Sequence, residues 1–294
     1  MNNTKKQYSL NTLNKIYNKY LQRDIDCHGK KYLKKLNDGM KLEELINIIK
    51  NSKEYKNINK NKIIFYNFLK KINIITNTSV LNKSSYNCLI IEPRNHEFLE
   101  KIMINFAFKL GNQFTMQLLH GNKNKELANN IKNKIKNLNL VNLNIDNLTI
   151  KEYSRLLKKD IFWENIKGDK VLIFQTDTYL FKEIPEKFLQ YDYIGAPWEK
   201  ENIDSKTFVG NGGLSIRNKK IIIDICKKYG NNDIDLSEDV FFSKYCKICK
   251  YNLASKNVAK EFSVENVYYH NPIGIHKPIN LNSNILMKLL SKNT

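Results

Sequence analysis

Four short segments of this 294-residue chain carry side chains that could do polar chemistry together. Gln175-Thr176-Asp177 follows directly on the apolar run Val171-Leu172-Ile173-Phe174, which puts a carboxylate just past the end of a predicted strand. A metal bridging a diphosphate would find an oxygen ligand there. An aspartate capping a turn has the same local appearance. In Val209-Gly210-Asn211-Gly212-Gly213-Leu214-Ser215-Ile216-Arg217 three glycines surround an asparagine. They let the backbone approach a ligand closely, while Asn211 offers both donor and acceptor to sugar hydroxyls. A tight turn feeding a Leu214–Ile216 strand would need the same glycines, and no GxxxxGK[ST] phosphate loop occurs. Ser237-Glu238-Asp239-Val240-Phe241-Phe242 reads as a helix start, with acids favoured by the helix dipole and aromatics buried behind them. Paired acids there also suit a general base that strips a proton from an acceptor hydroxyl. Gly274-Ile275-His276-Lys277-Pro278 sets a possible nitrogen ligand for Mn²⁺ beside a point charge for phosphate.

The elements that must position these segments alternate. Cys88–Ile91 is predicted as a strand, Phe98–Leu110 as a helix stopped by Gly111, and Phe114–Leu119 as a second strand. A lysine-rich helix at 124–136, a strand near Leu138–Ile145, a helix through Tyr153, Leu156 and Leu157, and the Val171–Phe174 strand follow. Alternation of this kind predicts an α/β fold with a mostly parallel sheet covered on both faces, and ligands beyond the carboxyl ends of its strands. Residues 1–60 are expected to form a separate, small helical unit. Its first apolar stripe is Leu10, Leu13, Ile16, Tyr17, Tyr20 and Leu21, and a later one is Leu42, Leu45, Ile46 and Ile49. Between them Gly29 is read as a positive-φ breaker and His28 as a turn residue. Residues 61–85 are read as a connector with Ile63, Ile64, Phe68 and Leu69 on one face, and 86–294 as the main domain.

The formal charge of +20 suits attraction to nucleic acid, an anionic membrane or a phosphate-bearing substrate. The lysines are dispersed, however, and only Arg23, Arg94, Arg155 and Arg217 supply guanidinium forks. Lysine, asparagine and isoleucine dominate throughout, as an AT-rich genome, a viral one included, would produce. Five cysteines make no secreted-type framework, and Cys246 with Cys249 forms a lone CxxC without the second half of a zinc site. The amino terminus has no apolar leader and no apolar run reaches the ~18 residues of a membrane span, so a cytoplasmic protein is expected.

In order, the segments resemble those of GT-A-fold glycosyltransferases, above all an uncharacterised group found in fungi, bacteria and large DNA viruses. That group shares the blocks IIEPR…H, VLIFQTD, YDYIGAPW, GNGGxSxR, SEDVFF, FSVE and GxHKP. Here they begin at Ile90-Ile91-Glu92-Pro93-Arg94 and continue through Phe162-Trp163-Glu164, Tyr191–Trp198 and the segments above. The resemblance implies transfer of a sugar from a nucleotide-sugar donor, UDP-linked, to a glycan, protein or small-molecule hydroxyl, with inversion. It implies Mn²⁺ or Mg²⁺ on Asp177 and His276, with His270 as a rival ligand. Gln175 stands where the usual DxD motif has its first acid. Asp239 is implied as base with Glu238 beside it, and Glu92, Arg94, Gln175, Trp198, Asn211, Gly212, Gly213 and Lys277 as donor- or acceptor-binding residues. A non-catalytic glycan- or nucleotide-binding protein and a nucleic-acid-binding protein are the alternatives. The helical unit resembles a phycobilisome-linker-like repeat through Tyr17, Leu21, Arg23, Asp26, Gly29, Leu36, Gly39, Ser52, Glu54 and Tyr55, which implies a scaffold or a module that docks a protein partner.

Overall fold

A computed structural model of the chain describes residues 7–23, 25–76 and 84–292. Four helices come first: α1 (Leu10–Leu21), α2 (Cys27–Asn37), α3 (Leu42–Asn51) and α4 (Lys53–Lys71). Ser9, Asp26 and Ser52 start three of them by accepting a backbone N–H from Thr12, Gly29 and Tyr55. The apolar stripes meet in one cluster that includes Leu13, Tyr17, Leu21, Leu36, Leu45 and Ile49. Arg23 bridges the ends of the unit, its Nε 2.6 Å and its Nη2 3.0 Å from the two oxygens of Glu54. Gly29 does not take the expected positive φ. It lies in the first turn of α2, where a Cβ would come within 2.7 Å of the Tyr17 hydroxyl and 2.5 Å of Ile25. Close packing requires the glycine, and His28 is likewise helical rather than in a turn.

α4 runs unbroken across position 60 and on through 61–71. It buries Ile58, Asn61, Phe65, Phe68 and Leu69, while Ile63 of the expected apolar face is 61% exposed. Phe65, Phe68 and Leu69 join the cluster beneath the main sheet, so one helix serves both cores.

The main unit continues with β1 (Tyr86–Glu92), α5 (Leu99–Leu110), β2 (Thr115–His120), α6 (Lys125–Lys134), β3 (Leu138–Asn142), α7 (Ile150–Leu157), α8 (Asp160–Glu164) and β4 (Lys170–Phe174). Then come β5 (Thr178–Leu180), α9 (Glu186–Leu189), β6 (Tyr193–Pro197), β7 (Val209–Asn218), α10 (Lys219–Tyr229) and α11 (Glu238–Ile248). α12 (Lys256–Phe262), β8 (Ser263–Val264), β9 (Gly274–His276), a 3-10 turn at Pro278–Asn280 and α13 (Ser283–Ser291) complete it. The central sheet has the order β3-β2-β1-β4-β7-β6, parallel from β3 to β4, with β7 antiparallel to both its neighbours. A small sheet β5-β9-β8 stands beside it. The fold is therefore α/β with a largely parallel sheet, as the alternation of elements predicts.

Period-two strands feed both faces. Leu172 and Phe174 point to the side covered by α4 and α5, Val171 and Ile173 to the side of Trp163, Phe241 and Phe242. From β1 the chain moves outward through β2 and β3, then returns to β4 on the other flank. The β1/β4 junction is thus the topological switch point, where α/β sheets open a ligand crevice at their carboxyl edge. Among the described residues no helix is long and apolar enough to cross a membrane.

Candidate active site

β4 ends at Phe174, and the next three residues enter the crevice. β5 then pairs with β9, placing Thr178 opposite His276. The Lys277 N–H donates to the Asp177 carbonyl at 3.1 Å, so the two segments are fastened side by side. His276 Nε2 lies 3.3 Å from Gln175 Oε1 and 3.5 Å from Asp177 Oδ1. The ring is buried at 2% exposure, whereas the Asp177 side chain is 41% exposed and faces the opening. Behind the ring, Nδ1 lies 3.5 Å from Glu265 Oε2. Burial raises the Glu265 carboxyl, but His276, Lys277 and Asn280 outweigh it and hold the group below its usual value. His270 is exposed, its ring against Tyr269, and among the described residues it belongs to no such cluster. Of the two histidines, His276 is the one that meets Asp177.

The glycines of β7 do not form a turn feeding a shorter strand. They are part of the strand itself, in a bulge: β6 advances one residue from Gly195 to Ala196, while their partners on β7 jump from Ser215 to Asn211. Bulges re-aim backbone beside sites. Each glycine makes room for a side chain. A Cβ on Gly213 would fall 2.1 Å from His276 Nε2, and one on Gly212 would fall 2.2 Å from Glu238 Oε1 and 3.1 Å from Asp239 Cβ. One on Gly210 would fall 2.3 Å from the Trp198 ring. The bulge is a floor on which His276, the Glu238-Asp239 turn and half-buried Trp198 all rest. Asn211 is buried and its Oδ1 accepts the Gly213 N–H at 3.2 Å, which fixes the bulge.

Because Gly213 has no positive φ, alanine there fits the backbone, and the three atoms nearest its Cβ all belong to the His276 imidazole. Gly213→Ala is expected to keep the fold and to raise the Mn²⁺ concentration for half-maximal thermal stabilisation by about tenfold or more, the effect typical of a displaced ligand. An unchanged midpoint would show that His276 does not meet the metal.

Glu238 and Asp239 open α11 as expected, but their surroundings differ. Glu238 is buried, with Oε2 2.6 Å from Nη1 of the fully buried Arg217. Arg217 also donates from Nε to Ser215 Oγ at 3.1 Å and lies 5.3–5.8 Å from the rings of Tyr193, Phe242 and Trp163. Burial pushes the Glu238 carboxyl up, and Arg217 opposes that shift. Tyr153 is raised too, chiefly by burial. Asp239, half-buried, is the carboxylate of the pair left without a cationic partner at salt-bridge distance among the described residues.

Across the crevice, at the end of β1, Glu92 is buried and Arg94 grips it through two bonds of 2.8 and 2.7 Å. Arg94 is held above its ordinary value first by that bond, with Asp177 adding to it. His96 is lowered, mainly by burial, against the pull of Glu92 and Asp177. Asp177 thus projects its charge onto the β1 side. Glu265, Arg217 and His96 escape a reading of single segments, although each closes or follows one of the sequence blocks FSVE, GNGGxSxR and IIEPR…H.

His276 Nε2 stands 3.3 and 3.5 Å from the Gln175 and Asp177 oxygens, separations that suit neighbouring ligands of one cation, since bonds of about 2.1 Å at angles between octahedral and tetrahedral give edges of about 3.0–3.5 Å. Glu265 stands 3.5 Å from Nδ1 on the far side of the ring, the place where a metal-ligating imidazole commonly has a carboxylate. The third donor is an amide oxygen, and among the described residues no group of three His, Cys, Asp or Glu side chains could hold a metal.

The model of a family described as "Protein of unknown function (DUF5672)" matches residues 137–276, from the start of β3 to His276. No curated protein matches the chain. Among solved structures the chain is similar to the mannosyltransferase PcManGT from Pyrobaculum calidifontis in complex with GDP-Man and Mn²⁺, at 9% identity and a TM-score of 0.42 over 68% of this chain and 63% of that one. It is also similar to the glycosyltransferase GlyE of Streptococcus pneumoniae TIGR4, at 12% identity and a TM-score of 0.41 over 72% and 64%. The apo form of GlyE matches at 11% identity and a TM-score of 0.40, over 70% and 64%. The chain thus spans less than two thirds of the length of each.

Proposed function

We propose that the chain is a metal-dependent glycosyltransferase that moves a sugar from a nucleotide-sugar donor, UDP-linked, to a hydroxyl acceptor with inversion. The observation that carries this reading is the meeting of Asp177, Gln175 and His276 with the Glu238-Asp239 turn over one glycine bulge, beside the β1/β4 switch point. A divalent cation, Mn²⁺ or Mg²⁺, held by Asp177, His276 and the Gln175 amide oxygen, would supply Lewis-acid neutralisation of the donor diphosphate. Asp239 takes the proton from the acceptor hydroxyl. The freed oxygen bonds to the anomeric carbon as the bond from that carbon to the diphosphate oxygen breaks. Lys277 and Arg94 offset the charge that builds on the leaving diphosphate, Arg94 from a position fixed by Glu92. Trp198 and Asn211 flank the bulge as sugar contacts. Glu238, neutralised by Arg217, holds the Asp239 turn in place.

The test is transfer and donor hydrolysis across a panel of nucleotide sugars, with Mn²⁺, with Mg²⁺ and after chelation. Turnover is expected only with a divalent cation, and Asp177→Ala is expected to abolish it. Metal-independent turnover, or an active Asp177→Ala variant, would sink the metal scheme. Gln175, standing where a second acid is usual, favours one other reading: a protein that binds nucleotide sugars without turning them over. Binding by calorimetry with no product by mass spectrometry would establish it.

A further inference from the structure

The segment that carries His276 and Lys277 is held from outside the sheet. Lys277 sits in the left-handed region at φ 44°, an uncommon conformation for a residue with a Cβ, and turns the chain sharply into Pro278–Asn280. Such strained backbone persists only where its surroundings over-determine it. On one side the Lys277 N–H is held by the Asp177 carbonyl, and on the other the turn that follows is held by α4. Asn61, 0% exposed, donates from its amide to the carbonyls of Ile279 and Leu281 at 3.1 and 2.6 Å. One turn earlier Asn57 donates to the same Leu281 carbonyl at 3.0 Å and accepts from Ser283 Oγ at 3.1 Å. Ile279 is buried in the cluster of the helical unit beside Ile58, not in the core of the sheet. On the other side Asn280 reaches Glu265 at 3.3 Å, the carboxylate behind His276.

We propose that Asn61 is a positioning residue, through which the amino-terminal helical unit fixes the loop that presents His276 and Lys277. The proposal rests on the reading of that loop as part of the donor site. It makes the helical unit a working part of the site rather than only a docking appendage. A buried amide facing two carbonyls 218 and 220 residues away has no local helix to satisfy it, and without the 278–281 turn its donors would be orphaned at a cost. The turn in turn has no other buried side-chain donor among the bonds described for it.

The experiment uses the full chain with Asn61→Leu, and with Asn57→Ala as the milder variant that removes one donor from a part-buried position. In the ligand-free protein, hydrogen exchange at the Lys277 and Asn280 amides is expected to quicken by about tenfold in Asn61→Leu and less in Asn57→Ala. The amides of Leu89 and Ile90 in β1 should stay as protected as in the wild type. The Mn²⁺ midpoint for thermal stabilisation and the donor KM are expected to rise by about tenfold, with kcat at saturation falling only as far as Lys277 is displaced. Asn59→Ala, on the same helix but bonded among the described residues to Tyr55 of its own turn, should change neither. Unchanged exchange at Lys277 and Asn280 overturns the proposal. So does quickened exchange with unaltered Mn²⁺ midpoint and donor KM, because the loop would then be held without consequence for the site. A wild-type chain with no response to Mn²⁺ or nucleotide sugars sinks the donor-site reading itself, and the exchange rates then decide by themselves whether α4 holds the loop.

Discussion

Arg217→Met is expected to lower the stability of the chain by roughly 3–5 kcal/mol, the usual consequence of removing one member of a buried ion pair. The cost comes less from the lost attraction than from what remains. Glu238 would stay buried at the foot of α11 with its cation gone, and a carboxylate in that position must be desolvated without compensation or take up a proton. Two further groups would lose one of their partners, since Arg217 also donates to Ser215 and lies 3.4 Å from the Gly212 carbonyl, although Ser215 Oγ still donates to that carbonyl at 2.9 Å. The flat guanidinium fills the space between the rings of Trp163, Tyr193 and Phe242, which a lysine head would fill poorly. The double variant Arg217→Met/Glu238→Gln is expected to recover part of the loss, because no bare charge remains. Urea unfolding midpoints for wild type, both single variants and the double variant measure this directly. Equal losses in Arg217→Met and the double variant would show that the guanidinium matters for packing alone.

The same pair shows how far the sequence could be read. Periodicity located β1, α5, β2, α6, α7 and β4 because each writes its burial pattern into consecutive residues: period two with both faces apolar, or one apolar stripe. Gly111 ends α5 as expected, at φ 54°. Residues whose meaning depends on a distant partner were less legible. Gly29 looked like a chain breaker, yet the Tyr17 ring explains it. Gly212 and Gly213 looked like a turn, yet they are flat places under Glu238 and His276. Residue 60 is read as the end of the helical unit, yet α4 crosses it, and Asn61 is polar for the sake of carbonyls at 279 and 281. The candidate site is legible only as a set of segments, since Asp177, Asp239 and His276 each sit where an element begins or ends. What joins them is not visible there: Glu265 behind the imidazole and Arg217 beneath the acids are contacts between separate elements, which no local pattern encodes.

That division of labour between the two acids bears on the second large effect. Asp239→Asn is expected to reduce kcat by roughly 10²–10⁴, the range for removing a general base, while donor KM and the Mn²⁺-induced thermal shift stay near wild type. Asparagine has the same shape and serves the first turn of α11 almost as well, because a charge near a helix start contributes only about 0.3–1 kcal/mol. A loss confined to kcat would therefore mark the proton acceptor rather than a damaged helix. Glu238→Gln should behave in the opposite way, lowering stability through the unpaired Arg217 and reducing turnover only as far as the Asp239 turn shifts. Initial rates against the best donor, followed by mass spectrometry of the product, separate the two. If Asp239→Asn retains full transfer while Glu238→Gln abolishes it at temperatures where both are folded, the buried acid is the base and the neutralisation by Arg217 inferred from the 2.6 Å contact does not hold in the working enzyme.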